Sequence, residues 1–236
     1  MRRLSRVIAV SHSTARDVRS FVKVPDAKIS VIHNGADLQR FARQMPQGNG
    51  VLAKYSITKP YIIYTARLEY PGKNHVKLIE AFCKLRKDCD VQLVLTGAQW
   101  KGSEPILQRI DELDLGAQVI VTGFVPGEEL PVLVQQAALF AFPSLYEGFG
   151  IPLLESMAAG TAVCAANVSS LPEVLGDAGV LFDPNDTEDM ARVMQSILQN
   201  EEMRNDLIKK GYERSAIFTW ERTVAAMKAL CQTPAF

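Results

Sequence analysis

The sequence predicts an α/β fold, a doubly wound parallel sheet with extra helices at its carboxyl end. Three observations predict it. Short apolar runs rich in β-branched and aromatic residues recur along the chain, segments with helical apolar spacing lie between them, and after Phe182 only helical patterns remain. Runs without polar alternation mark strands buried on both faces, as in a sheet covered by helices on each side. Strand and helix repeated at this pitch build βα units wound into one such sheet.

In chain order, the strands are expected at residues 6–11, 28–32, 61–66, 91–96, 118–122, 139–142, 161–165 and 179–182. Segment 75–87 sets Val76, Leu78, Ile79, Phe82 and Leu85 at helical spacing, and 104–113 and 128–138 read the same way. The closing stretches 186–199, 201–218 and 220–230 are helical with no strand between them, which suits a cover or crossover element. The opening holds strand, helix and strand, then the turn signal Asn34-Gly35. A polar Gly/Pro stretch at 44–50 reads as a linker, and a short helix at 51–56 leads into the main sheet. The opening segment, to about residue 43, is too small to be a domain by itself.

Composition narrows the function. The chain has 236 residues with 26 Lys and Arg against 26 Asp and Glu, a balance that disfavours a nucleic-acid binder because it offers no large release of phosphate counterions. Apolar residues make up 47%, enough for a real core. No apolar run nears the ~20 residues that span a bilayer. The basic start turns polar at Ser11-His12-Ser13 after four apolar residues, too few for a signal-peptide core. Cys83, Cys89, Cys164 and Cys231 are scattered without a C-x-x-C pair, as expected of free thiols in a reducing cytoplasm.

The stretch richest in chemistry is Glu147-Gly148-Phe149-Gly150-Ile151-Pro152-Leu153-Leu154-Glu155. It follows a buried strand and enters a helix, with Pro152 suited to the first helical position. Ligands of open parallel sheets bind beyond the carboxyl ends of the strands, where this loop must lie. Glycines on both sides of Phe149 let the backbone approach a ligand, and the amides of Gly150 and Ile151 at the helix start form an anion site. Glu147 and Glu155 can face the same mouth, where a carboxylate accepts two hydrogen bonds from vicinal hydroxyls. The helix dipole alone would favour each acid by about 0.3–1 kcal/mol, but that leaves Gly-Phe-Gly unexplained.

A second strand-to-helix junction, Thr65 to His75, carries Arg67 and Lys73 at the same sheet edge. A bidentate guanidinium and a point-charge ammonium are what a pyrophosphate needs, although lone basic residues are more commonly solvated loop charges. Asn74 is read as a helix N-cap. Gly97 and the run Gly123-Phe124-Val125-Pro126-Gly127 end the next two strands and suit either a ligand or ordinary turns. His12, His33 and His75 are dispersed without ligand spacing, so no metal site is expected. Trp100 sits in a polar loop where it could stack, and Trp220 is expected to pack the terminal helices. Walker, G-x-G-x-x-G and G-x-S-x-G sequences are absent, which disfavours nucleotide hydrolysis, dinucleotide redox chemistry and serine hydrolysis.

The span from Glu147 to Glu155 resembles the E-x7-E motif of family-four, GT-B-fold retaining glycosyltransferases that use nucleotide sugars. Arg67-Leu68, Gly72-Lys73-Asn74, the segment Val31 to Asp37, Ala158 to Val163, Leu171-Pro172-Glu173 and Gly179 to Phe182 continue the resemblance in order over nearly the whole chain. It implies a Rossmann-like donor-binding half at 44–218, a remnant of an amino-terminal Rossmann-like domain with the interdomain segment at 1–43, and a crossover-type helix at 219–236. Arg67 and Lys73, with Gly150 and Ile151, would hold the donor diphosphate. Glu147 would be the catalytic residue and contact the sugar hydroxyls, beside Gly148, Phe149 and Gly150; Glu155 would take the ribose, and Phe124 and Val125 the base. No cofactor or metal is implied, because Arg, Lys and the helix start offset the leaving-group charge. The implied partners are a nucleotide-sugar donor, a glycan or lipid-linked acceptor and the missing amino-terminal domain, which would also supply peripheral membrane association at the inner face of the membrane. Polysaccharide or lipopolysaccharide assembly is the implied setting. Ala66 departs from the family's usual Gly, and its methyl would narrow the diphosphate approach. A non-catalytic nucleotide-sugar-binding or assembly module is the alternative; an epimerase or phosphorylase of related fold fits less well.

Overall fold

The computed structural model describes residues 6–42, 49–100 and 102–232. Within them the elements run β1 (Val7–Ala9), α1 (His12–Val22), β2 (Ile29–Val31), α2 (Leu38–Ala42), α3 (Asn49–Lys54), β3 (Tyr61–Thr65), α4 (His75–Leu85), β4 (Gln92–Thr96), α5 (Glu104–Glu112), β5 (Val119–Gly123), α6 (Leu130–Gln135), β6 (Leu139–Phe142), α7 (Ile151–Ala158), β7 (Val163–Ala166), α8 (Leu171–Leu175), β8 (Val180–Phe182), α9 (Thr187–Gln199), α10 (Glu201–Ser215) and α11 (Trp220–Gln232).

Six strands form one parallel sheet in the order β5-β4-β3-β6-β7-β8. Its central strands are the apolar runs without alternation: Ile62, Ile63, Leu93, Val94, Leu139 and Phe140 are fully buried. Helices on both faces cover them, as the lost alternation requires. The chain enters the sheet in the middle, at β3, builds outward through β4 and β5, then returns to the other side of β3 and builds outward again through β6, β7 and β8. That reversal opens a crevice between the carboxyl ends of β3 and β6, the place where open α/β sheets bind ligands.

β1 and β2 form a separate two-stranded parallel sheet. The last helix returns to it: Thr223 Oγ1 donates to the His33 carbonyl at 2.8 Å, and the Arg6 guanidinium donates to the Leu230 carbonyl at 2.9 Å. Gly35 explains part of this fit. A Cβ there would stand 2.3 Å from the Trp220 nitrogen, so the Asn34-Gly35 pair serves a close passage of two backbones rather than the turn the dipeptide suggests. Trp220 is half exposed instead of packed among the terminal helices.

The expected strands all occur. Helices α2 and α8 are additions; at five residues each they are too short to show a period. α3 starts two residues before the expected helix, and most of the expected linker, 43–48, lies outside the described residues. Among the described residues no helix is long and apolar enough to cross a membrane.

Candidate functional site

Two loops meet at the crevice, one after β3 and one after β6. Buried Tyr64, near the end of β3, fixes both: its hydroxyl donates to the Lys73 carbonyl at 3.1 Å and accepts from Ser144 Oγ at 2.8 Å. Burial drives the Tyr64 phenol far above its usual range, so it stays a donor. The Leu145 amide donates to the Gly72 carbonyl at 3.0 Å and adds a second tie. Asn74 supplies the third. It holds the N-cap position of α4 with φ 58°, but its side chain caps nothing; Nδ2 donates instead to the Pro143 and Pro184 carbonyls at 3.1 and 2.9 Å. The cap expected from sequence is thus a strut between three loops.

These ties bring the candidate acid and bases together. A cleft of about 580 Å³ is lined by Thr65, Ala66, Arg67, Lys73, Phe142, Glu147 and the turn Phe149 to Pro152. Inside it, Lys73 Nζ donates to Glu147 Oε1 at 2.6 Å, with both side chains largely shielded from solvent. Arg67 sits at the rim, half exposed, bonded through Nε to Glu69 at 2.5 Å and lying 5.2 Å over the Trp100 ring. Trp100 therefore stacks on the candidate's own cation. Gly97 serves the same junction: with φ +138° it runs against the backbone of Ala66 and Arg67, so its role is close packing of two loops rather than approach to a ligand.

Hydroxyls clamp the Gly-Phe-Gly turn from behind. Ser170 Oγ, fully buried, stands 2.9 Å from both the Glu147 and Phe149 carbonyls and shares its proton between them, while Ser169 Oγ accepts from the Glu147 amide at 3.0 Å. Ser11 and Thr14 of the opening segment donate to the Gly148 carbonyl at 2.8 and 3.1 Å. With the carbonyls drawn backward, the amides of Gly150 and Ile151 have no backbone or side-chain acceptor among the described residues. Gly150 takes φ +107° at the N-cap of α7, a conformation costly for other residues. Pro152 stands second in α7, one position later than expected. The Phe149 ring is buried against His33 and Phe218, 5.7 Å from each.

Glu155 lies farther along α7, outside the lining of that cleft. Burial raises its carboxyl above the usual range; Arg40 of the opening segment works against this and Asp37 with it. Among the described residues its carboxylate has no hydrogen-bond partner. Arg40 also donates to the Gly127 carbonyl, which ties the loop after β5 to the same region. In that loop Phe124 is 77% exposed and free to stack, whereas the Val125 side chain is core and offers only backbone.

Sequence reasoning missed Tyr64, Ser170, Ser11, Thr14 and Arg40, since a single hydroxyl or arginine carries no pattern. It also separated residues the fold unites: His12 and His33, far apart in sequence, meet Glu173 with ligand atoms all within 4.8 Å of one another. Burial pushes the Glu173 carboxyl up, but hydrogen bonds from the His12 amide, the His33 ring and the Ser13 amide outweigh it and hold the group below its usual range. A second cavity, about 370 Å³, lies between His33 and α11. Its Arg214 and Arg222 bond the Val174 and Ile217 carbonyls at 2.9 and 3.2 Å, so they are committed to structure.

The family model for glycosyl transferases group 1 matches residues 53–214, the main sheet and its loops. The chain belongs to this family. The model for glycosyltransferase family 4 matches residues 1–40. The O-antigen chain mannosyltransferase B of Escherichia coli is 32% identical over 95% of this chain and 60% of its own length. The MMP α-(1→4)-mannosyltransferase of Mycolicibacterium hassiacum is 29% identical over 97% of this chain and 54% of its own. The Anabaena protein HepE, solved with UDP and glucose, superposes with a TM-score of 0.86 at 21% identity, over 98% of this chain and 64% of that one. The fold is thus that of a GT-B glycosyltransferase, and this group 1 chain spans little more than half of these relatives.

Proposed function

We propose that this group 1 glycosyltransferase chain is the donor-binding half of a retaining enzyme that transfers a hexosyl group from a nucleotide-diphosphate sugar to a glycan or lipid-linked acceptor. The observation that carries the proposal is the meeting of Lys73 and Glu147 at 2.6 Å in the crevice between β3 and β6, with Arg67 and the Gly150–Ile151 amides in the same cleft. Cations and amides there suit a diphosphate, and a carboxylate held by the same lysine suits the hydroxyls of the attached sugar. As the bond from the sugar's anomeric carbon to the phosphate oxygen breaks, negative charge gathers on the leaving diphosphate. Arg67, Lys73 and the start of α7 stabilise it without a metal ion. Glu155 takes the ribose hydroxyls, and Phe124 with the Val125 backbone flanks the base. Names of the relatives favour a mannosyl donor within the hexosyl class and O-antigen-type assembly as the setting. The acceptor and the membrane surface belong to a further domain facing this cleft, as the partial span of the relatives suggests.

Calorimetric titration with GDP, UDP, ADP and dTDP and their sugar conjugates tests the proposal. One base should bind preferentially; Glu155→Ala should weaken nucleotide and nucleotide sugar alike, while Glu147→Ala should remove only the advantage of the sugar. Equal affinity of the unaltered chain for nucleotide and nucleotide sugar would overturn the role of Glu147. Addition of an amino-terminal domain separates transferase from assembly module, since a module binds donor yet never transfers sugar.

A further inference from the structure

We propose that His12, His33 and Glu173 form a binding site for a divalent transition metal of the zinc class, one that braces the amino-terminal segment against the back of the Gly-Phe-Gly turn. Their candidate ligand atoms lie within 4.8 Å of one another. A tetrahedral ion with bonds of about 2.0–2.2 Å holds its ligand atoms roughly 3.3 Å apart, so shifts on the order of 1 Å complete the site.

Two of the three ligands are already oriented. The Glu173 carboxylate accepts from the His12 amide at 2.9 Å through Oε1 and from the Ser13 amide at 3.3 Å through Oε2, which fixes its plane at the start of α1. The His33 ring is packed by Phe149 and Phe218, with centroids 5.7 and 5.6 Å away, and Nε2 points at Glu173 Oε1 at 2.7 Å. An imidazole held by packing and a carboxylate held by amides are the supporting contacts that metal ligands need. The third ligand adjusts. The His12 side chain is exposed, has no hydrogen-bond partner among the described residues, and stands edge-on to His33 at 5.9 Å. Arg214, the nearby cation, bonds the Glu173 main-chain carbonyl and leaves the carboxylate to the histidines.

Two imidazoles and one carboxylate suit Zn2+, Co2+ or Ni2+, whereas Mg2+ and Ca2+ prefer sets made of oxygen alone. Binding replaces the direct His33–Glu173 contact, and solvent fills the open position. The ion would join the β1–α1 junction, whose Ser11 and Thr14 hold Gly148, the exit of β2, whose His33 packs on Phe149, and α8, whose N-cap Ser170 holds the Phe149 carbonyl. The ion would sit behind the Gly-Phe-Gly turn, on the side away from the Lys73–Glu147 pair, and its binding can be measured without any donor.

Titration of the metal-free chain with Zn2+, and with Co2+ followed by its visible absorption, tests it. One equivalent of each should bind and raise the unfolding temperature, and Mg2+ should do neither. His12→Ala is the decisive variant, because its ring is exposed and belongs to no part of the core. It should keep the fold and lose at least ~10-fold in Zn2+ affinity, the lower bound for loss of even an outer-shell partner. His33→Ala should lose binding outright. An absence of saturable Zn2+ binding, an affinity unchanged by His12→Ala, or an equal response to Mg2+ would each overturn the site and leave a hydrogen-bonded clasp.

Discussion

Alanine at Gly97 would place a methyl carbon 2.2 Å from the Ala66 carbonyl oxygen, 2.6 Å from its carbon and 2.9 Å from the Arg67 Cα. All three are backbone atoms, so no side chain can swing aside. Overpacking of this kind costs about 1–3 kcal/mol, and the φ of +138° adds on the order of 1–3 kcal/mol for any residue with a Cβ. The expected loss is therefore about 2–6 kcal/mol, or roughly 4–24 °C in unfolding temperature for a chain of this size. Gly123→Ala is the matched control, since it has φ +69° but, among the described residues beyond its chain neighbours, no atom within 4 Å of the added carbon. It should cost only the backbone strain, about 1–2 kcal/mol. Relief of the clash would push Arg67 away from the cleft, so Gly97→Ala should also weaken nucleotide binding. Differential scanning calorimetry of both variants measures the effect. A Gly97→Ala protein no less stable than Gly123→Ala would refute the close approach of the two loops.

Three further outcomes follow from the geometry. Ser170→Ala leaves the Glu147 and Phe149 carbonyls short of a donor and should cost about 1–3 kcal/mol in chemical denaturation, with a parallel loss of nucleotide-sugar affinity. Glu155 has its pKa raised by burial, so the folded state holds the proton more tightly than the unfolded one and loses stability as pH rises from the ordinary carboxylate value through the raised one. Glu155→Gln should thus unfold at an equal or higher temperature than the parent at neutral pH, and still bind nucleotide more weakly. His75 is buried and, among the described residues, neither ring nitrogen is hydrogen-bonded; the nearby Glu69 carbonyl favours its proton, but burial prevails and pushes the pKa down to about 4. The unfolded state then binds the extra proton first, so about 3 kcal/mol of stability should disappear as pH falls from 6.5 to 4. His75→Leu should flatten that part of the pH–stability profile measured by thermal unfolding.

What the sequence made legible follows from how each feature is encoded. The apolar runs at Tyr61, Gln92 and Leu139 announce their strands because burial on both faces removes polar alternation, and the sheet order then places the loops of Arg67 and Glu147 at one crevice. Gly150 and Pro152 mark the start of α7 because only special residues tolerate those positions. Asn74 misled, since the same amide that caps helices can equally bridge carbonyls from distant loops, and no local pattern distinguishes the two. The contacts of Ser170, Ser11 and Thr14 with the turn join positions more than twenty residues apart, and the meeting of His12, His33 and Glu173 depends on packing of the β1–β2 unit against α8. Such contacts exist only in the folded chain.

The proposed function requires that Arg67 and Lys73 grip a diphosphate beside Glu147. Titration calorimetry of the nucleoside and its diphosphate against Arg67→Ala and Lys73→Ala tests this most directly. A charge-assisted hydrogen bond contributes about 1.5–3 kcal/mol, so each variant should bind the diphosphate ~10–100-fold more weakly and the nucleoside unchanged. Variants that bind the diphosphate as tightly as the parent would mean that neither cation holds it.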